Sequence, residues 1–253
     1  MNALPRAHKL HDLDWPKALL KSTLPSIVSI ALFLVPSAAQ AELLTYTASL
    51  EFSGGTAPTG PTPWITVVAD DGGGVGSLLL TITATNLTTH GGNAENLSEL
   101  DLNINPVFNP ASLVFTLFST TSAFDLPTIS LGTDAFKADG DGFYDINLMF
   151  TTGGNVNKTF TQGDVLKYTV TSPGLTALSF YALSTPGGGA GPFLFAGHIQ
   201  NTGSGGTGSG WVTGDGHFAP EPASLGMAAI GGAVCLFGLW RRRKLRGCRS
   251  VAS

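Results

Sequence analysis

Three observations predict an all-β fold, an antiparallel β-sandwich of about eight to ten strands. Apolar and polar residues alternate with period two in segment after segment, and the segments are separated by clusters of Gly, Pro, Asn and Asp. No stretch of similar length repeats with the 3.6-residue period of an amphipathic helix. Leu78, Leu80, Ile82 and Ala84 alternate with Thr81, Thr83 and Thr85, so one face of that strand is apolar. Leu100, Leu102 and Ile104 alternate with Asp101, Asn103 and Asn105. Leu113, Phe115 and Leu117 repeat the pattern, as do Tyr144, Ile146, Leu148 and Phe150 against Asp145 and Asn147. Further strands are expected at Leu166, Tyr168 and Val170, at Leu178, Phe180 and Ala182, and along 193–200. Turns are expected at 54–63, 70–74, 153–155 and 186–192, where Gly and Pro punctuate the chain. Residues 203–210 are Gly, Ser and Thr only and read as a flexible loop, after which Trp211 closes a domain expected to span 42–213.

The two ends have a different composition. Arg6, Lys9, Lys17 and Lys21 precede an apolar run at 27–35, and Ala39-Gln40-Ala41 ends it with small residues. That order predicts an export signal over 1–41, read by the Sec translocon, with Ala39 and Ala41 framing the cleavage site and Glu42 beginning the mature chain. At the other end, 214–219 reads as a spacer, followed over 220–246 by Pro220-Glu221-Pro222, an apolar stretch at 223–240 and the basic run Arg241, Arg242, Arg243 and Lys244. Eighteen helical residues reach about 27 Å, close to the thickness of the hydrocarbon layer, so 223–240 predicts one transmembrane helix. Six Lys or Arg and no acidic residue follow Trp240, which holds the tail in the cytoplasm and places Glu221 outside. The prolines remove two backbone donors and bias Glu221 toward an extended conformation, the form that protease sites accept.

Pro220, Glu221 and Pro222, the glycine-containing span and the Arg cluster together resemble the PEP-CTERM sorting domain of exported Gram-negative bacterial proteins. The resemblance implies processing by exosortase, a membrane protease or transpeptidase, and an association with exopolysaccharide production. It implies an inner-membrane precursor that is then delivered to the cell surface or extracellular matrix. Short blocks of the body, Phe136-Lys137-Ala138-Asp139-Gly140-Asp141-Gly142, Gly191-Pro192-Phe193 and Ala196-Gly197-His198-Ile199-Gln200, resemble a domain that recurs on proteins with this tail, and that resemblance carries no chemistry.

Charge separates the body from its ends. Residues 42–222 hold Lys137, Lys158 and Lys167 against 15 acidic residues, a formal balance of −12, whereas the whole chain stands at −4. So acidic a domain is a poor partner for nucleic acid and suits neutral glycans, divalent cations or plain solubility. Both cysteines, Cys235 and Cys248, lie in the tail, which leaves the exported part without a disulfide, a thiolate nucleophile or a thiolate metal site.

The sharpest local constellation is Asp139, Asp141 and Asp145, carboxylates at relative positions 1, 3 and 7 with Gly140 and Gly142 between them. Such spacing can offer oxygen ligands to Ca²⁺, but it departs from an EF-hand at Phe143, Tyr144 and Phe150, and the favoured reading is an Asp-Gly hairpin turn alone. His90, His198 and His217 have no partner at metal-ligand spacing. Gly206-Thr207-Gly208-Ser209-Gly210 lacks the strand–turn–helix setting of a nucleophile elbow, and 72–76 lacks the Lys-Ser/Thr end of a phosphate loop. Trp64, Tyr181 and Trp211 are the aromatic candidates for stacking against sugar rings. The sequence therefore predicts a non-enzymatic, exosortase-sorted protein of the cell surface or matrix, structural or adhesive, linked to exopolysaccharide. The alternative is a carbohydrate-binding module for extracellular polysaccharide.

Overall fold

A computed structural model of the 253-residue chain describes residues 41–121, 124–139, 142–153 and 156–220. The strands in chain order are β1 (Glu42–Glu51), β2 (Ile65–Asp70), β3 (Ser77–Ala84), β4 (Thr89–His90), β5 (Asn93–Ala94), β6 (Asn96–Leu102) and β7 (Val114–Thr120). They continue with β8 (Thr128–Ala138), β9 (Gly142–Met149), β10 (Phe160–Thr161), β11 (Val165–Thr171), β12 (Thr185–Pro186), β13 (Phe195–Thr202) and β14 (Gly208–Pro220). The expected export signal up to residue 40, Asp141 and the tail from Glu221 onward, including the span 223–240, lie outside the described residues. Among the described residues no helix is long and apolar enough to cross a membrane.

All-β and antiparallel both hold, but two separate sheets do not. Hydrogen bonding runs without a break through β12-β9-β6-β13-β14-β1-β2-β3-β11-β7, with β8 added at β9 and β10 at β6, and this one sheet curls strongly on itself. β4 and β5 form a separate hairpin. The long strands β1 and β14 explain the continuity: β14 pairs with β13 as well as β1, and β1 pairs with β2, so they join what would otherwise be two layers. Register breaks at Ala48/Leu50, Leu131/Phe136, Lys167/Tyr168, His198/Ile199 and Gln200/Thr202 supply bends where a regular ladder would stay open. The concave face holds a single core to which Leu44 and Tyr46 of β1, Leu80 and Ile82 of β3, Leu100 and Leu102 of β6, and Ile146 and Leu148 of β9 all contribute.

Most of the expected alternations become strands with the apolar set buried: Leu78, Leu80, Ile82 and Ala84 on β3, and Leu166, Tyr168 and Val170 on β11. β7 is an edge strand, and burial there falls from Leu113 at its start to Leu117, which is exposed. The segment at Leu178, Phe180 and Ala182 is corrected. It begins as a 3-10 turn over Ala177–Phe180, because the Ser179 hydroxyl accepts from the Thr176 amide and the Asp71 carboxylate accepts from the Ala177 amide, closing the chain locally. Phe180 reaches the core while Leu178 is exposed.

The flexible loop read from 203–210 and the spacer read from 214–219 are also corrected. The chain turns at 203–207, and Gly208 already begins β14, which continues through 214–219 to Pro220. Glycine is needed there for contact rather than looseness. A Cβ on Gly214 would lie 1.8 Å from the Thr47 carbonyl oxygen, and one on Gly210 would lie 2.8 Å from that of Thr56. Close approach of backbones is a recognised reason for glycine within a strand.

Candidate functional site

On β1, β2, β3 and β11 the convex face is partly open to solvent, but on β6 and β9 it is covered. Ala138, Tyr144 and Ala196 form a small second core, with Phe52, Phe136 and Trp211 packed against it, and Ala196 stands opposite Asp101 in the β13–β6 ladder. The same face carries the polar residues that alternate with the inner leucines. Asp101 stands opposite Asn147 on β9 and Ala196 on β13, and Glu99 stands opposite His198. The Asn147 amide donates to Asp101 Oδ1 at 2.8 Å and to Glu99 Oε1 at 2.5 Å, bridging two carboxylates. Burial pushes the Asp101 carboxyl up to about 7, against the Asn147 hydrogen bond and with help from the charge on Glu99. Glu99 is raised for the same first reason. A buried carboxyl that keeps its proton near neutrality is stable beside a second carboxylate, where two charges would not be.

Next to this pair, His198, Trp211, Asp139, Ser53, Gly54, Gly55, Ser209 and Gly210 line an open cavity of about 300 Å³ with a mainly polar wall. Trp211 is opposite His198 in the β13–β14 ladder, and their rings stack at 4.9 Å between centroids. The Ser98 hydroxyl lies 2.8 Å from His198 Nδ1 and 2.9 Å from the His198 carbonyl oxygen. A hydroxyl that donates to the carbonyl can only accept from the ring, so Nδ1 carries the proton and Nε2 is left as an acceptor. Desolvation lowers the His198 pKa, opposed by the charge of Asp139, and favours the neutral ring. The cavity therefore offers acceptors at Asp139 and His198, a hydroxyl at Ser209 and an indole, whereas the Ser53 hydroxyl is taken up by Glu51 Oε1 and the Gly55 and Trp211 amides.

The other expected aromatic platforms are placed differently. Trp64 is buried, with its indole N–H donating to the Gly60 carbonyl at 2.8 Å. Tyr181 is exposed and meets Phe218 edge-on. Of the expected calcium ligands, Asp139 lines the cavity, whereas Asp145 accepts from the Asp134 amide at Oδ1 (2.9 Å) and from the Ile104 amide at Oδ2 (3.2 Å). These bonds tie the bulge of β8 to the end of β6. Among the described residues no three His, Cys, Asp or Glu side chains stand together as a metal-binding group. Glu99 and Asp101 were missed as site residues, because alternation marks them as solvent-facing and carries no information on what covers the outer face.

The ends of the exported domain meet. In the β1–β14 ladder Leu43 pairs with Ala219 and Glu42 with Pro220, so the residue expected to begin the mature chain lies beside the first proline of the tail motif. The strand keeps the β conformation up to Pro220.

Residues 219–244 match the model of the PEP-CTERM protein-sorting motif. No curated protein and no solved structure matches the chain. The final two residues of β14 are thus the first two of the matched segment. The chain carries a PEP-CTERM sorting motif that abuts a curled all-β domain, and this motif implies an exported, exosortase-processed protein sorted to the cell surface.

Proposed function

We propose that this protein passes through the Sec translocon, is held in the inner membrane as a precursor, and acts after exosortase processing as a non-enzymatic structural or adhesive component of the surface or exopolysaccharide matrix. The observation that carries this reading is the sorting motif following the folded domain without an intervening linker. Replacing Glu221 with Ala, or deleting 241–244, is expected to leave a larger membrane-bound precursor, detected by mass spectrometry of fractionated cells. Unchanged mature mass and location in both variants would sink the sorting route.

A second reading, binding of extracellular polysaccharide, is favoured by the His198–Trp211 cavity. Its acceptors suit a ligand rich in hydroxyl donors, its indole suits the apolar face of a sugar ring, and about 300 Å³ accommodates one ring. Affinity electrophoresis of the exported protein through the host's own polysaccharide is expected to show retardation. Trp211→Ala should weaken it about tenfold, the worth of one aromatic contact. Equal mobility of wild type and variant would leave the structural role alone.

A further inference from the structure

The corner where β1 begins contains a carboxylate with donors but no cation. Asp71 directly follows β2 and is 8 % exposed. Its Oδ1 accepts from the backbone N–H of Glu42 at 2.8 Å and of Gly73 at 2.9 Å, and its Oδ2 from that of Ala177 at 3.1 Å. Its own N–H donates to the Glu42 carbonyl at 3.3 Å, so Asp71 and Glu42 grip each other through main chain and side chain. Among the described residues the ion pair is Lys158 with Asp125, and no basic side chain pairs with Asp71. Beside it, Glu42 Oε2 is buried with no hydrogen-bond partner among the described residues. Glu42 thus offers the buried Asp71 carboxylate a single amide hydrogen, while its own carboxylate keeps one buried oxygen without a donor among the described residues.

We propose that Asp71 is the receptor for the α-ammonium group that removal of the export signal creates at Glu42. The proposal rests on the Ala39-Gln40-Ala41 cleavage reading. Hydrolysis adds one water across the Ala41–Glu42 amide: the departing segment keeps the oxygen as a carboxylate, and the Glu42 nitrogen gains two protons to become –NH₃⁺ at neutral pH. The nitrogen already sits at hydrogen-bond distance from Asp71 Oδ1, so the neutral donor is replaced in place by a cation with three donors. The new charge compensates the buried carboxylate. The domain is therefore completed by processing: among the described residues the donors to Asp71 are amides, and the cut chain supplies its counter-ion and fixes the start of β1.

The test uses the full chain, exported and matured in a host with its export machinery. Mass spectrometry first reads the N-terminus, and then the acylation rate of the Glu42 α-amine by an excess of amine-reactive ester is followed, with the lysines as internal references. In the native protein the α-amine is expected to react at least about tenfold more slowly than in urea, as for a group released only by local opening. Asp71→Asn, which keeps an acceptor but removes the charge, should lose most of that protection. A mature chain beginning elsewhere than Glu42 would overturn the proposal through the cleavage reading. A chain beginning at Glu42 whose amine reacts equally fast folded and unfolded would overturn the receptor while leaving the cleavage reading intact. That native-against-urea comparison needs no variant, so it decides the matter even if Asp71→Asn does not fold.

Discussion

The two arms of the curled sheet are written in the same alternating code and use it differently. On β3, Leu78, Leu80, Ile82 and Ala84 face the core, while Leu79, Thr81 and Thr83 lie half-open on the convex face. On β6 and β9 the inward set, Leu100, Leu102, Ile146 and Leu148, is matched by an outward set that is buried as well, including Asp101 and Asn147. The difference teaches that period two identifies the core face but not whether the opposite face is wet. A polar residue on the first arm is solvated, whereas on the second it must find a partner inside the protein.

The largest expected effect tests the second arm. Leu148→Asp places an unpaired charge in the inner core and should cost more than about 4 kcal/mol, enough to unfold the domain. The sequence alone marks its neighbour Asn147 as tolerant, but Asn147 is 5 % exposed and supplies the N–H groups that hold Glu99 and Asp101 together. Asn147→Asp should therefore cost about 3 kcal/mol at neutral pH by setting a third carboxylate against two. Chemical denaturation of the exported protein measures both, and a mild Asn147→Asp would show that the outer face of β9 is wet.

Next in size is a gain. The Asp101 carboxyl rises from its ordinary 3.8 to about 7 in the folded chain, so the folded state binds a proton that the unfolded state has released, and stability falls as pH rises across that window. Asp101→Asn removes the titration and should stabilise the protein by about 1–3 kcal/mol at pH 8 while flattening the profile between about pH 4 and 7. A slope unchanged by the substitution would place the titrating group elsewhere. The smallest effect belongs to the first arm. Thr81 is paired with Lys167 on β11, and Thr81→Asp should shift stability by no more than about 0.5 kcal/mol. A loss comparable to that of Asn147→Asp would mean that both faces of both arms are covered.

Much of the inner core was legible, because Leu80, Ile82, Leu100, Leu102, Ile146 and Leu148 announce their common face by spacing alone. What was not legible depended on partners distant in sequence. Continuity of the sheet is decided by the β1–β14 ladder, whose members are separated by most of the domain. Gly208, Gly210 and Gly214 resemble a linker by composition, although the close approach of Thr47 and Thr56 is what demands them. Trp211 was recognisable as a candidate aromatic, but its stacking on His198 follows from the ladder register, and the covered setting of Asp101 depends on packing that period two does not encode.

The place of β14 in the sheet also sets how the domain carries mechanical load. A tether joined beyond Pro220, whether the precursor's own tail or whatever replaces it, pulls along the axis of β14. From the tether inward, residues 220 to 212 form nine residue pairs with β1 and residues 212 to 208 form five with β13, and these ladder hydrogen bonds lie across the pulling direction. Tension therefore loads the β1 row in shear, many bonds at a time, and reaches the β13 row only beyond Val212.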